Sequence, residues 1–197
     1  MHRLSTDTRR LGTGGTVDSG RQHGDDSILP HGVRVRERED TATSVDDALD
    51  QCAVTLKADG ALAALRYLNG RTRFRYTGVY HAEPPLLRNL YLFDRENPHL
   101  NVSGEIAPLE VTYCGIGLAT NAPFATTDAP QDERLLHHAA RESIISYSGV
   151  PIRLTNGQAW GSLCHFDVRP RLLSAEELRL LEATAELLGH WVAESGA

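Results

Sequence analysis

The alternation of apolar and polar positions predicts two adjacent strands within residues 143–167. The Asn156-Gly157 pair between them is typical of a two-residue type I′ turn, because both central residues of that turn need a positive φ angle. Leu154 then pairs with Ala159, and successive side chains divide between two faces. The first face comprises Val150, Ile152, Leu154, Ala159, Gly161 and Leu163, and the second comprises Arg153, Trp160, Ser162, Cys164 and Phe166. Both faces are largely apolar, which indicates a central hairpin covered on both sides.

Helical periodicity begins at Ser44, which together with Asp47 resembles a capping box with Asp in place of Glu. The apolar positions that repeat on one side of this helix are Val45, Leu49, Cys52 and Leu56. Asp59-Gly60 interrupts the pattern, and a second short helix is predicted over residues 61–68.

The last helix is predicted over residues 171–192, where Ser174 and Glu177 form a capping box. Its apolar positions form two stripes: Leu178, Leu181, Ala185, Leu188 and Val192 in the first, and Leu180, Leu187 and Trp191 in the second. One stripe can pack on the sheet. A helix that is apolar on two sides usually has two partners, so the second stripe needs another surface to cover it.

The segment between these helices predicts an antiparallel pair of strands followed by an irregular insertion. The strands cover residues 72–81 and 86–93 and are joined by a Glu-Pro-Pro turn. Residues 101–140 are irregular, apart from a short strand over residues 124–128. A short helix over residues 132–141 is expected to turn three apolar residues inward, namely Leu135, Leu136 and Ala139.

The composition is that of an ordinary globular protein. The 197 residues are 41% hydrophobic and 23% charged, which is enough for a core without a metal or disulfide. The net charge of −6 argues against nucleic acid as the main partner. Three irregularly spaced cysteines favour a reducing, cytoplasmic compartment. The sequence has no apolar run of about 18 residues, which a membrane span requires. Residues 1–43 lack an apolar pattern and are expected to be a disordered tail.

The predicted hairpin resembles the end of a GAF domain, which carries the pattern Tyr-x-Gly-Val-Pro-Leu, then Asp-Gly, then Gly-Thr-Leu-Cys-x-x-Asp. The matching residues are Tyr147-Ser148-Gly149-Val150-Pro151-Ile152, Asn156-Gly157 and Gly161-Ser162-Leu163-Cys164-His165-Phe166-Asp167. The resemblance covers residues 44–192 and places a GAF domain over residues 44–197. It implies an α/β fold of the α+β type with a central antiparallel sheet. The first and last helices lie on one face, and a pocket-forming segment lies on the other.

The resemblance implies a stand-alone bacterial sensor that binds an unidentified small molecule and acts through a signalling partner protein without catalysing a reaction. In this family the last helix often pairs with the first across a dimer, so we expect a homodimer through those two helices. No cofactor is expected, and neither nucleic acid nor a membrane is expected as a partner. A dimeric protein-interaction module with no ligand is a second hypothesis, which a cavity too small for a nucleotide-sized ligand would favour.

Polar residues near the pocket-forming segment are the candidate ligand contacts, because small-ligand sites place a few polar groups in a mostly apolar cavity. They are Arg88, Tyr113, Cys114, Asp128, Asp132, Tyr147 and Ser148. Asp132 has an alternative structural role at the N-terminus of the helix that follows it. No metal site is expected at His137-His138, since adjacent histidines on a helix point about 100° apart and do not chelate one ion together.

A third hypothesis is a cysteine-dependent oxidoreductase of the free methionine-sulfoxide reductase type, with Cys114 and Cys164 as the reacting residues. That branch of the family uses closely spaced cysteines, whereas these two lie fifty residues apart. His165 follows Cys164 but points to the opposite face of a regular strand, so it is poorly placed to activate the thiol.

Overall fold

The computed structural model describes residues 44–100 and 102–195, so the predicted tail of residues 1–43 lies outside the described residues. Its helices and strands, in chain order, are α1 (Val45–Asp59), α2 (Ala61–Gly70), β1 (Tyr76–Glu83), β2 (Leu86–Asp94), β3 (Ile106–Pro108), α3 (Tyr113–Thr120), β4 (Phe124–Thr126), β5 (Ser146–Arg153), β6 (Ala159–Asp167) and α4 (Ala175–Ser195). Within those described ranges, no helix is long and apolar enough to cross a membrane.

The strands form one antiparallel sheet in the order β3-β2-β1-β6-β5-β4. The predicted α+β class and central antiparallel sheet are therefore confirmed. Both edge strands are only three residues long, and Pro108 ends one of them. Short edges and an edge proline limit pairing with other chains.

Helices α1, α2 and α4 cover one face of the sheet. The first turns of α1 and α4 are capped as predicted, because Ser44 Oγ accepts a hydrogen bond from the Asp47 amide and Ser174 Oγ accepts one from the Glu177 amide, each at 3.1 Å. The Glu177 carboxylate does not complete a capping box, however. It binds the Arg71 guanidinium of the α2 C-cap instead, with a shortest N–O distance of 2.7 Å.

The second apolar stripe of α4 is partly buried within the same chain. Leu180 is fully buried, and the neighbouring Thr184 hydroxyl donates to Cys52 Sγ of α1 at 3.9 Å. Cys52 is itself fully buried in this helical core. Leu187 and Trp191 are half-buried against the same helical core, so much of this stripe is covered without a second copy of the chain, which weakens the argument that leads from the stripe to a dimer.

The turn between β5 and β6 differs from the predicted type I′ turn. Gly157 has a φ angle of 81°, whereas Asn156 does not adopt a positive φ. The Gly157 amide donates to the Leu154 carbonyl at 2.8 Å, and the Leu154 amide donates to the Gln158 carbonyl at 2.9 Å. This pattern is a three-residue loop made of a type I turn and a glycine in the left-handed region.

The longer loop changes the register only near the turn. Ala159 pairs with Arg153, so the predicted pairing of Ala159 with Leu154 is wrong. Trp160 is an extra residue in β6, and this bulge restores the predicted pairing of Ile152 with Gly161. The bulge also turns Trp160 toward the helices, so its predicted place on the face of Cys164 is wrong.

The pocket-forming segment contains less helix than predicted after Asp132 and more before it. Residues 132–141 form only a 3₁₀ turn, Glu133–Leu135, followed by i+3 hydrogen bonds rather than an α-helix. Leu135 is buried, but Leu136 is 58% exposed and Ala139 is exposed, so the inward stripe is wrong for these two. Helix α3, within the segment predicted to be irregular, packs on the face of the sheet opposite α1, α2 and α4.

Candidate functional site

A cavity of about 400 Å³ lies between α3, the following irregular segment and the sheet. Its walls are Tyr80, Leu87, Ala107, Val111, Thr112, Tyr113, Cys114, Ala139, Ala140, Ser143, Ile144, Tyr147, Cys164 and Phe166. None of these side chains is acidic, basic or histidine. The walls are mostly aliphatic and aromatic, with hydroxyl and thiol groups as the polar components.

Helix α3 brings Cys114 against the sheet. Thr112 caps the helix, because its hydroxyl accepts a hydrogen bond from the Gly115 amide at 3.1 Å. A Cβ atom at Gly115 would collide with the Leu109 carbonyl oxygen, so glycine here permits close packing of α3 on the preceding 3₁₀ turn. The Cys114 side chain is 4% exposed and faces the cavity.

Tyr147 lies along β5 with its ring over Gly149. A Cβ atom at Gly149 would collide with the Tyr147 hydroxyl, so the position of this ring requires glycine two residues later. The Tyr147 hydroxyl donates to Cys114 Sγ at 3.3 Å and lies 3.4 Å from Ser162 Oγ. The Tyr-x-Gly pattern of β5 therefore places a phenol at a thiol.

The two cavity cysteines are neighbours in the fold, although they are fifty residues apart in the sequence, because the Tyr147 hydroxyl that contacts Cys114 lies over Gly149, which pairs with Cys164 across β5 and β6. The pKa of Cys114 is lowered chiefly by the neighbouring Cys164 thiol and further by hydrogen bonding to Tyr147 and Ser162, which together outweigh the opposing effect of burial. Burial raises the pKa of Cys164 well above its ordinary value. Burial likewise raises the pKa of Tyr147, so its phenol remains protonated and can donate. Cys114 is therefore the thiol of this pair that ionises first.

Tyr113 forms one wall with other rings. Its centroid lies 5.5 Å from that of Tyr147 in an edge-on arrangement, 6.0 Å from Phe124 and 4.6 Å from His138. The Tyr113 hydroxyl donates to the Ile144 carbonyl at 3.3 Å. Burial raises the pKa of Tyr113 to about 12. The Tyr113 phenol is therefore uncharged at neutral pH.

Three of the seven candidate ligand contacts, Tyr113, Cys114 and Tyr147, line this cavity. Asp132 does not line it. The Asp132 carboxylate lies 2.6 Å from the Arg134 guanidinium and accepts a hydrogen bond from the Arg134 backbone amide at 3.1 Å. The hydrogen bond from the guanidinium holds the pKa of Asp132 at about 2. Asp132 caps the 3₁₀ turn, which is the alternative role that the sequence suggests.

The remaining candidates also lie outside the cavity. Arg88 forms an ion pair with Glu83 at 2.8 Å. Asp128 precedes a 3₁₀ turn and is not part of the cavity wall. Ser148 points to the helical face of the sheet, since it alternates with Tyr147 along β5, and its hydroxyl is buried without a hydrogen-bond partner.

His165 lies on the opposite face from Cys164, as the strand alternation predicts. Its Nδ1 is 2.7 Å from the Thr77 hydroxyl, and its ring stacks on Phe74 with centroids 5.7 Å apart. Burial lowers the pKa of His165 to about 3. It is a neutral residue of the helical core and does not act on the Cys164 thiol.

Sequence reasoning missed several cavity walls that no short motif marks. Tyr80 pairs with Ser162 across β1 and β6 and shares its face, but a bulge in the pairing of β1 with β2 obscures this alternation in the sequence. Thr112 and Ser143 come from the irregular segment, where no periodicity assigns a direction. Across residues 44–100 and 102–195, no group of three or more His, Cys, Asp or Glu side chains is placed to hold a metal ion.

The sequence matches the family model for the GAF domain over residues 40–190. No curated protein matches the chain by sequence.

The structure is similar to solved structures at low identity. A GAF domain from the Acinetobacter phosphoenolpyruvate-protein phosphotransferase is 13% identical with a TM-score of 0.59, over 77% of this chain and 94% of that one. A type II free methionine-R-sulfoxide reductase from Thermoplasma acidophilum is 19% identical with a TM-score of 0.52, over 75% and 96%. The free methionine-R-sulfoxide reductase from Neisseria meningitidis, in complex with its substrate, is 16% identical with a TM-score of 0.59, over 78% and 92%. At these identities the likeness establishes the fold.

Proposed function

The chain belongs to the GAF family of ligand-binding signalling domains, and we propose that it is a sensor for a neutral, largely apolar small molecule. The ligand occupies the cavity beside α3, and the protein signals through a partner protein without catalysing a reaction. The observation that carries this proposal is the cavity itself, with its aromatic and aliphatic walls and its few polar groups. Three free cysteines favour a reducing, cytoplasmic location.

The size and charge of the cavity restrict the ligand. A volume of about 400 Å³ falls in the lower part of the range typical of small-ligand sites, roughly 300–1,000 Å³. A nucleotide needs cationic side chains or exposed backbone donors for its phosphates, and the walls contain no Lys or Arg. The cavity therefore suits a compact, uncharged molecule with an aromatic or aliphatic body.

The polar groups of the cavity select where such a ligand can hydrogen-bond. The hydroxyls of Thr112, Tyr113 and Ser143 already donate to backbone carbonyls. The polar groups that remain are those of Tyr80, Cys114, Tyr147 and Cys164, which form the polar end of the cavity. We expect a hydroxyl or carbonyl of the ligand to lie at this end.

The test is native mass spectrometry of freshly purified protein, where a co-purifying small molecule adds mass. Ala140→Phe fills the cavity and is expected to abolish the added mass and the binding of a neutral aromatic fluorophore. Ala58→Phe is the matched control, because it makes the same substitution at an exposed position of α1. A wild-type protein that carries no extra mass and binds no fluorophore contradicts the sensor proposal and favours the ligand-free interaction module.

A second candidate function, a cysteine-dependent oxidoreductase acting on free methionine sulfoxide, is favoured by one observation. Cys114 and Cys164 line the same cavity as neighbours, so their separation in the sequence does not prevent joint action. Turnover of free methionine sulfoxide with a thioredoxin system, lost in both Cys114→Ser and Cys164→Ser, is the expected result for this function. Wild-type turnover in both serine variants would exclude it.

A further inference from the structure

We propose that Cys114 and Cys164 form a reversible disulfide when a hydroperoxide enters the cavity, so that the binding site is also a thiol redox switch. Both thiols line one cavity, and the Tyr147 hydroxyl, 3.3 Å from Cys114 Sγ, lies over Gly149, the cross-strand partner of Cys164. Two neighbouring thiols in one cavity are the arrangement from which an intramolecular disulfide forms. The third cysteine, Cys52, lies in the helical core on the other face of the sheet and serves as an internal control.

The surroundings of Cys114 and Cys164 differ, and this difference decides which thiol reacts first. The Tyr147 hydroxyl donates a hydrogen bond to Cys114 Sγ at 3.3 Å and, with the neighbouring Cys164 thiol, stabilises negative charge on that sulfur. Cys164 is 1% exposed and more deeply buried among apolar groups. Cys114 is therefore the attacking thiol, and Cys164 is the resolving thiol.

The oxidation is balanced by one hydroperoxide. Cys114 Sγ attacks one peroxide oxygen, the O–O bond breaks, and the thiol proton goes to the departing alkoxide, leaving a sulfenic acid and an alcohol. Cys164 Sγ then attacks the sulfur of that sulfenic acid, the S–O bond breaks, and the Cys164 proton leaves with the hydroxyl as water. Two thiols and one hydroperoxide thus give one disulfide, one alcohol and one water. A dithiol reductant reverses the change by thiol–disulfide exchange.

The disulfide changes the cavity, and this consequence rests on the proposed function. The two sulfurs must approach to about 2.05 Å, which draws α3 toward β6, the two elements that form facing walls. The same reaction removes both thiol donors and the hydrogen bond that Tyr147 donates to a thiol. We expect oxidation to weaken ligand binding at this end of the cavity.

The bond itself is tested by intact mass spectrometry and thiol counting on the full chain. Treatment with hydrogen peroxide at a small molar excess is expected to lower the mass by 2 Da and to leave one alkylatable thiol in the denatured protein. Peptide mapping should find Cys114 joined to Cys164, and dithiothreitol should restore all three thiols. The Cys52→Ser variant should lose the same 2 Da and retain no alkylatable thiol. Cys164→Ser should instead accumulate a dimedone-reactive Cys114.

The outcomes separate this proposal from the proposed function. Retention of all three thiols, a disulfide that includes Cys52, or disulfides only between chains would overturn the redox pair, whatever the fluorophore measurement shows. A 2 Da loss in a protein that binds no ligand or fluorophore supports the redox pair and contradicts the sensor. Equal fluorophore affinity in the reduced and oxidised protein contradicts the coupling between them.

Discussion

The Tyr147 hydroxyl lies 3.3 Å from Sγ of Cys114, a contact that joins the central hairpin to the only helix on the cavity face of the described chain. The ring can reach this position because Gly149 has no side chain beneath the hydroxyl. Residues that look like part of a fold-defining hairpin in the sequence therefore also determine the polar end of the cavity.

Gly149→Ala is expected to lower the free energy of unfolding by about 1–3 kcal/mol, because the added methyl group overlaps the Tyr147 hydroxyl and forces the ring to move. Urea denaturation measures this change. The matched comparison is Gly149→Ala in a Tyr147→Ala background, where the clash is absent. In that background the loss of unfolding free energy should be smaller by at least about 1 kcal/mol, since the effects of substitutions at residues in contact are not additive. Equal costs in both backgrounds would show that the ring does not determine the need for glycine.

Tyr147→Phe is expected to raise the pKa of Cys114, because the variant removes a hydrogen bond to its thiolate. Thiolate absorbance near 240 nm in a Cys52→Ser, Cys164→Ser background should then appear at higher pH than in the same background with Tyr147. Tyr80→Phe is the control, since Tyr80 lines the same cavity but donates no hydrogen bond to Cys114 among the contacts described. An unchanged titration curve in Tyr147→Phe would contradict the assigned hydrogen bond.

The sequence predicts the parts of this structure that depend on local periodicity. Alternation along β6 correctly separates Cys164 from His165, and the helical stripe of α1 correctly buries Cys52. Helix α3 is missed because Gly115 and Gly117 are poor helix formers. Its formation depends instead on the Thr112 cap and on packing against Leu109, which no single-sequence pattern reveals.

The candidate site is predicted less completely than the fold because it is made by long-range contacts. The proximity of Cys114 and Cys164 follows from the packing of α3 on β6, so their distance along the sequence carries no information about it. The polar residues Asp132 and Arg88 illustrate the reverse case. Each satisfies its charge locally, with Arg134 and Glu83 respectively, and neither is directed into the cavity.

The homodimer through the first and last helices stays a prediction, but the second apolar stripe of α4 now supports it less than the sequence pattern suggests. In the second stripe of α4, Leu180 is fully buried within the chain and Leu187 and Trp191 are half-buried, whereas Val54 on α1 is 62% exposed. Light scattering at micromolar concentration is expected to give twice the mass of the chain, and Val54→Asp is expected to reduce it. A charge-introducing control on the cavity side, Leu136→Asp at a 58% exposed position, should leave the mass unchanged. A monomeric wild-type protein would contradict the prediction.

Stability should depend on pH through His165, whose pKa burial lowers to about 3. The unfolded chain protonates this residue near its ordinary pKa of about 6.5, while the folded chain keeps it neutral. Between those values the unfolded state binds more protons, so the free energy of unfolding rises with pH, by at most about 1.4 kcal/mol per pH unit. Asp94 and Asp132, with pKa values of about 2, and Glu83, whose pKa the Arg88 guanidinium lowers, contribute mainly below about pH 5.5, so urea denaturation between about pH 5.5 and 6.5 isolates the histidine.

The slope of the free energy of unfolding against pH, within this pH range, is compared between the wild type and two histidine variants. His165→Gln is expected to flatten it, because the titrating group is removed even if the overall stability also falls. His99→Gln, at an exposed position, is expected to keep the wild-type slope. Stability that is flat or decreasing with pH in the wild type would mean that His165 can be protonated in the fold. The hydrogen bond between its Nδ1 and the Thr77 hydroxyl, at 2.7 Å, would then have to be opened or reversed.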